Sequence, residues 1–331
     1  MVPREALDAA AGALGRANQV TLACHVNPDP DAMGSMLGLA CFLAGRGVEV
    51  VAASPNGLDD LPRWVESLPG SEHLVAPGDL PKAPPVAVTL DAADVARLDG
   101  LAHLVERAET VICIDHHRTN PGFGTINLID PEAAATAELV FRLVERMGGG
   151  FGPDVAACLY AGLVTDTGRF QFESTSPEVL RIAAELRERP FDHARLAQVL
   201  YADSSIPYLR LLGKVLGRVT HVPEASLIWA SVTRKDLDDA DVEIQETDEV
   251  IDVIRTAREV DVAAVIKEQR AGGWKVSLRS RGDTDVSAVA ETFGGGGHRL
   301  ASGYTSKASL NETVRALTEA LVASNPVTTR P

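Results

Sequence analysis

Asp115-His116-His117 stands directly behind the apolar run Val111-Ile112-Cys113-Ile114. That run has the length and composition of a buried strand, so the three polar residues fall where it ends. Acidic or imidazole groups are placed in the same way after three further apolar runs. His25-Val26-Asn27-Pro28-Asp29-Pro30-Asp31 follows Val20 to Cys24, Asp91 follows Val86 to Leu90, and Asp166 follows Leu159 to Thr165. Carboxylates and imidazoles gathered at several strand ends repel one another, or bury charge, unless a cation neutralises them. A pair of divalent metals is the simplest neutraliser, and such a pair does hydrolytic chemistry on phosphates.

Each motif also has a plainer reading. A short acidic turn before a helix caps it, and an aspartate after a strand commonly caps the next helix. Asp166, in Thr165-Asp166-Thr167-Gly168-Arg169-Phe170, reads alone as a turn residue. Recurrence at strand ends is what gives these carboxylates weight. Pro28 and Pro30 stiffen the turn that carries Asp29 and Asp31, two carboxylates that could serve different metals, before Gly34-Ser35 open a helix. Two adjacent histidines behind Asp115 have few structural uses, whereas histidine serves both as metal ligand and as proton carrier. The second signal is Gly294-Gly295-Gly296-Gly297 before His298-Arg299. Its plain reading is a flexible loop ending a helix. Its functional reading is a cradle of backbone N–H groups facing an anion, with charged donors directly behind. Arg279 and Arg281, at the end of a hairpin, are weaker candidates.

The elements that must position these groups follow from periodicity. Strands are predicted over 19–25, 48–53, 86–91, 111–115 and 125–129, and helices over 5–17, 35–46, 94–106, 133–147, 154–165 and 177–187. This alternation predicts a mostly parallel sheet with helices on both faces, which binds ligands at the carboxyl ends of its strands. Residues 188–215 read as a connector, with Pro190 as a break and Ser204-Ser205-Ile206-Pro207 as a helix start. A smaller α/β domain is predicted beyond it. It has a strand over 227–232, a helix over 246–257, a hairpin of 261–269 with 274–280, and helices over 285–293 and 310–323. Asn325 to Pro331 read as a frayed end.

Composition narrows the class of partner. The 331 residues suffice for two domains, and 45% hydrophobic with 23% charged residues is ordinary for a soluble globular chain. Arg4, Glu5 and Asp8 interrupt any signal-like apolar core, and no stretch approaches the roughly 20 apolar residues of a membrane span. Cys24, Cys41, Cys113 and Cys158 lie in apolar segments without metal-finger spacing, as expected of buried thiols in a reducing cytoplasm. The net charge of −15 disfavours long nucleic acid, because phosphate neutralisation supplies most of that affinity. It leaves room for a small phosphorylated ligand in a local basic pocket.

In this order, His25-(x3)-Asp29-x-Asp31, Asp91, Asp115-His116-His117, Asp166 and the Gly294–His298 run resemble the DHH/DHHA1 phosphoesterases, in particular their nanoRNase and pAp-phosphatase branch. The resemblance covers nearly the whole chain, with a DHH catalytic domain over 1–187 and a DHHA1 substrate-binding domain over 216–325, and a cleft between them. It implies two Mn²⁺ per active site. His25, Asp29 and Asp91 would hold one; Asp31, Asp91, His116 and Asp166 would hold the other, with Asp91 bridging. A hydroxide between metals roughly 3.5–4 Å apart would attack phosphorus. Catalytic roles would fall to Asp91, to Asp115 as the residue orienting His116 or His117, and to His117 on the scissile phosphate. Gly296, Gly297, His298, Arg299 and Arg279 would bind the other end of the nucleotide. Family II pyrophosphatases share the metal motifs but lack this glycine-rich run. The single-strand exonuclease branch is longer, and the membrane-bound cyclic di-AMP phosphodiesterases carry spans absent from this sequence.

The expected activity is Mn²⁺-dependent hydrolysis of short nucleotides: oligoribonucleotides of a few residues, pAp to AMP, and linear or cyclic di-AMP. No long duplex nucleic acid and no membrane are expected as partners, and the resemblance implies a homodimer. Three alternatives stand beside it: a dedicated cyclic dinucleotide phosphodiesterase, a nucleotide-sensing module without turnover, and, more distantly, a pyrophosphate hydrolase. The intact set of ligand side chains argues against a sensor.

Overall fold

The computed structural model describes residues 2–324; the end expected to fray, Asn325 to Pro331, lies outside the described residues. The described chain divides into two compact units between Asp203 and Ser204.

In the first unit, α1 (Arg4–Arg16), β1 (Gln19–Cys24), α2 (Pro30–Ala44), β2 (Glu49–Ala53) and β3 (Val86–Leu90) are followed by α3 (His103–Arg107) and β4 (Thr110–Asp115). Then come β5 (Ile126–Ile129), α4 (Thr136–Arg146), α5 (Pro153–Asp166), α6 (Pro177–Arg187) and α7 (His193–Tyr201). Among the described residues the strands form one parallel sheet in the order β2-β1-β3-β4-β5. Alternation along the strands divides the core. Val20, Leu22, Val88, Leu90, Ile112 and Ile114 face the large cluster under α2, α4 and α5. Ala23 and Ala87 face a smaller cluster under Leu98, Leu101 and Leu104. The chain leaves β1 towards β2 on one side and resumes at β3 on the other. The carboxyl ends of β1 and β3 therefore form the topological switch point of the sheet, where such folds hold their ligands.

Three expectations need correction here. The helix predicted over 35–46 begins at Pro30 instead. Proline needs no N–H at a helix start, so Pro30 opens α2, with Asp29 as its N-cap and Asp31 in its first turn. The helix predicted over 94–106 is a 3₁₀ turn, Val95–Leu101, followed by the short α3. Asp99 breaks it with φ 43°. Asp166 ends the helix predicted over 154–165, which is α5, so it does not belong with the strand ends among which the motif argument places it.

The second unit comprises α8 (Ile206–Leu216), β6 (Thr220–Val222), β7 (Leu227–Val232), α9 (Arg234–Ala240), α10 (Val250–Ile254) and β8 (Val262–Glu268). It continues with β9 (Trp274–Ser280), α11 (Val286–Glu291), β10 (Gly296–His298), β11 (Ala301–Ser306) and α12 (Leu310–Ser324). Its mixed sheet has the order β10-β11-β9-β8-β7-β6, parallel only between β7 and β8. One face packs Val262, Ala264, Ile266, Val276 and Leu278 with residues of α11 and α12; the other packs Ala263 and Val265 with residues of α8 and α10. The glycine run is not a free loop. Gly294 and Gly295 N–H bond the carbonyls of Glu291 and Ala290, and Gly296 to His298 pair with β11. Strands lie so close here that a Cβ on Gly295 would stand 2.2 Å from the Gly303 carbonyl oxygen, and one on Gly297 2.6 Å from that of Ala301. Sheet packing therefore explains two of the glycines that the anion-cradle reading had used.

Candidate metal centre

His25, Asp91 and Asp115-His116-His117 leave the carboxyl ends of β1, β3 and β4, and the loops bring them together with α2 and α5. Asp91 is the centre of the group and is buried with φ 58°, a left-handed conformation that its neighbours must hold in place. Its N–H donates to the Ile114 carbonyl at 2.9 Å. Its Oδ2 lies 3.4 Å from His25 Nε2. Its Oδ1 lies 3.6 Å from both His116 Nε2 and His117 Nδ1. Asp29 Oδ2, half-exposed, lies 3.8 Å from His25 Nε2. Asp166 Oδ2 and Asp31 Oδ2 lie 3.2 and 3.9 Å from His116 Nε2. The predicted ligand residues of the first unit are thus brought together.

Backbone and side-chain partners aim each group. His116 Nδ1 lies 3.2 Å from the Ala133 carbonyl, so that nitrogen carries hydrogen and Nε2 is left facing the carboxylates. His25 Nδ1 lies 2.8 Å from the Val26 carbonyl, with the same effect. Asp115 Oδ1 lies 2.7 Å from His117 Nδ1, and its Oδ2 accepts from Asn120 Nδ2 at 2.7 Å. Asp115 therefore orients His117 and not His116. Asp31 accepts from the N–H groups of Thr136 (2.6 Å) and Ala137 (2.9 Å), which puts its carboxylate on the positive end of α4. The Thr136 hydroxyl donates to Asp91 Oδ1 at 2.8 Å. Thr136 thereby ties two carboxylates to one helix start. Sequence reasoning missed it. A threonine beside the predicted start of a helix over 133–147 was the one signal for it.

The charges remain in tension. Burial opposes ionisation of Asp31, and the charges of Asp91 and Asp166 add to this, so its pKa stands well above the carboxylate range. Burial also opposes protonation of His25, but Asp29 and Asp91 outweigh it and raise the imidazole to about 10. For His117, Asp115 and Asp91 outweigh burial and raise it to about 9. For Asp91, the three histidines overcome burial and hold the carboxyl far below its usual range. The cluster balances its like charges by holding protons, and a divalent cation can replace them.

The predicted substrate-binding residues lie in the second unit. Arg279 and His298 are both opposite Ala301, so all three lie in one row across β9, β11 and β10. Arg299 is one residue out of that row. It is exposed, and its Nη2 donates to the Gly282 carbonyl at 2.7 Å.

Residues 19–163 match the N-terminal domain of the DHH family, and residues 225–324 match the DHHA1 domain. The bifunctional oligoribonuclease and PAP phosphatase NrnA of Thermus thermophilus is 38% identical over 87% of this chain and 84% of its own length. This chain belongs to the DHH/DHHA1 phosphoesterases. It is a hydrolase of that family. The phosphoesterase also resembles an exopolyphosphatase-related protein from Bacteroides fragilis, whose crystal structure matches with a TM-score of 0.90 at 27% identity over 98% of each chain. RecJ of Thermus thermophilus, solved in complex with Mn²⁺, shares the fold with a TM-score of 0.53 at 20% identity, over 97% of this chain and 54% of its own.

The donor set of this DHH/DHHA1 phosphoesterase fits divalent metal. His25, Asp29 and Asp91 offer ligand atoms within 4.8 Å of one another, and so do Asp31, Asp91 and His116. Asp91 faces the first group with Oδ2 and the second with Oδ1. Oxygen mixed with imidazole nitrogen suits Mn²⁺ better than a thiolate-seeking ion.

Proposed function

We propose that this phosphoesterase hydrolyses short nucleotides, cleaving oligoribonucleotides of a few residues and converting pAp to AMP. The observation that carries this reading is the convergence of two donor groups on Asp91, in a chain 38% identical to a relative named for these two activities. His25, Asp29 and Asp91 would hold one Mn²⁺, and Asp31, Asp91, His116 and Asp166 the other. When bound, such a pair supplies Lewis acidity and a water acidified towards neutral pH.

The chain's own residues do the rest. Asp115 fixes His117 through Nδ1, which leaves Nε2 to meet a phosphoryl oxygen and stabilise the charge that develops on it. Asn120 holds Asp115 in turn. Thr136 keeps the Asp91 carboxylate from rotating, so its two oxygens stay divided between the two groups. In the second unit, Arg279 and His298 bind a terminal phosphate or a base, with Gly296, Gly297 and Arg299 in support.

A substrate panel with saturating Mn²⁺ tests the proposal: pAp, pApA, cyclic di-AMP, RNAs of two to five nucleotides, and a long single strand. Turnover of pAp and the short RNAs, abolished by chelation and restored by Mn²⁺, is expected. Turnover of cyclic di-AMP alone would favour a dedicated cyclic dinucleotide phosphodiesterase. Tight binding with no turnover of any member would leave a sensing module.

A further inference from the structure

Arg97 stands at the His25 edge of the metal centre. Its Nη2 lies 3.0 Å from His25 Nδ1. Its backbone is pinned on both sides: the N–H donates to Asp94 Oδ1 at 3.0 Å, and the carbonyl accepts from Val26, the neighbour of His25, at 2.9 Å. Arg97 is exposed, and no ion pair of its guanidinium is found among the described residues.

The imidazole cannot satisfy that guanidinium while it serves a metal. The Val26 carbonyl, 2.8 Å from His25 Nδ1, only accepts, so Nδ1 must carry hydrogen to bond it. That tautomer leaves Nε2 bare towards Asp29 and Asp91, as coordination demands. With Nδ1 given to that carbonyl, its lone pair is closed to Arg97 Nη2, 3.0 Å away, and the guanidinium is left for another acceptor. A guanidinium presents five donors in a planar fork that matches phosphate. Its place is also informative. Asp91 Oδ2 faces His25 at 3.4 Å while Oδ1 faces His117 at 3.6 Å, so His25, which Arg97 touches, and His117 stand against opposite oxygens of the central carboxylate.

We propose that Arg97 is a phosphate-binding residue of the reaction, holding phosphoryl oxygens at the His25 end of the centre while His117 meets them at the other. This rests on the reading of the centre as a nucleotide phosphoesterase site. A lysine there keeps the charge but loses the fork, and a glutamine loses both charge and fork.

The test is calorimetric titration of the Mn²⁺-loaded wild type, Arg97→Lys and Arg97→Gln with AMP. It is joined by Mn²⁺ titration of the stripped proteins and steady-state kinetics on pAp. Arg97→Gln should weaken AMP binding and raise KM for pAp by roughly tenfold or more, with Arg97→Lys in between, while Mn²⁺ affinity does not fall. Unchanged AMP affinity in Arg97→Gln would overturn the proposal. So would a parallel fall in Mn²⁺ affinity, because Arg97 would then act by positioning His25. A wild type active on pAp whose Arg97→Gln variant binds AMP normally defeats only the role of Arg97. A wild type inactive on every substrate defeats the phosphoesterase reading beneath it.

Discussion

Asp91 divides its oxygens between His25, at 3.4 Å, and His116, at 3.6 Å, so one amide substitution damages both donor groups. Asp91→Asn should lower kcat by about three orders of magnitude or more and reduce the Mn²⁺ bound per chain, measured by kinetics and metal analysis. Thr136 donates to the same carboxylate at 2.8 Å. Thr136→Val should cost about 10–100-fold in activity or metal affinity, and Thr136→Ser, which keeps the hydroxyl, should recover most of it. His25 adds a pH dependence. Its pKa of about 10 lies above the ordinary histidine value, so in metal-stripped protein its stabilising effect is full below about pH 6.5 and is lost as pH rises through 10. Mn²⁺ needs that nitrogen deprotonated, so its association constant should climb with pH across the same window, with proton release on binding. A flat affinity between pH 6.5 and 9 would remove His25 from the ligand set.

At the scale of elements, α2 and α5 lie close enough to bring Asp31 and Asp166 to one histidine. Glycines permit the approach. A Cβ on Gly34 would stand 2.4 Å from the Cys158 carbonyl oxygen, and one on Gly162 2.6 Å from Asp31 Oδ1 and 2.9 Å from the Ala137 Cβ. Gly162→Ala should therefore push Asp31 off the start of α4. A loss of about 1–3 kcal/mol of stability by thermal melting is expected, together with weakened Mn²⁺ binding by calorimetry. Gly295→Ala, which meets the Gly303 carbonyl at 2.2 Å, should behave differently. It should disturb β10 and raise KM for nucleotides while Mn²⁺ affinity stays near that of the wild type. Loss of Mn²⁺ binding in Gly295→Ala would contradict this separation of roles.

For the molecule as a whole, the charge of −15 opposes attraction of a long polyanion, and the nucleotide-binding row proposed at Arg279 and His298 is short. Short substrates should therefore be preferred. Rates on RNAs of two, five and twenty nucleotides decide it, with kcat/KM expected to fall along the series; equal values would remove the preference. Among the described residues no helix is long and apolar enough to cross a membrane.

Several of these features are legible in the residues alone. Buried parallel strands read as unbroken apolar runs, and the polar groups that end them stand out against that background, which is why β1, β3, β4 and the residues His25, Asp91 and Asp115 to His117 can be found without coordinates. The mixed second sheet was only partly visible, because β10 and β6 are three residues long and β10 is built largely of glycine. An apolar run also cannot by itself tell a buried helix from a buried strand, so the run before Asp166 reads both as a helix over 154–165 and as one of the strand ends, and α5 decides for the helix. What remained depended on partners far apart in the chain. The Thr136 N–H reaches Asp31 across 105 residues, and the Ala133 carbonyl, by taking His116 Nδ1, leaves Asp115 to orient His117. Residue types and their order specify which chemistry the chain can do. Only the close approach of α2, α4 and α5 decides which oxygen faces which nitrogen, because hydrogen-bond partners are chosen by distance in space and not by spacing in sequence.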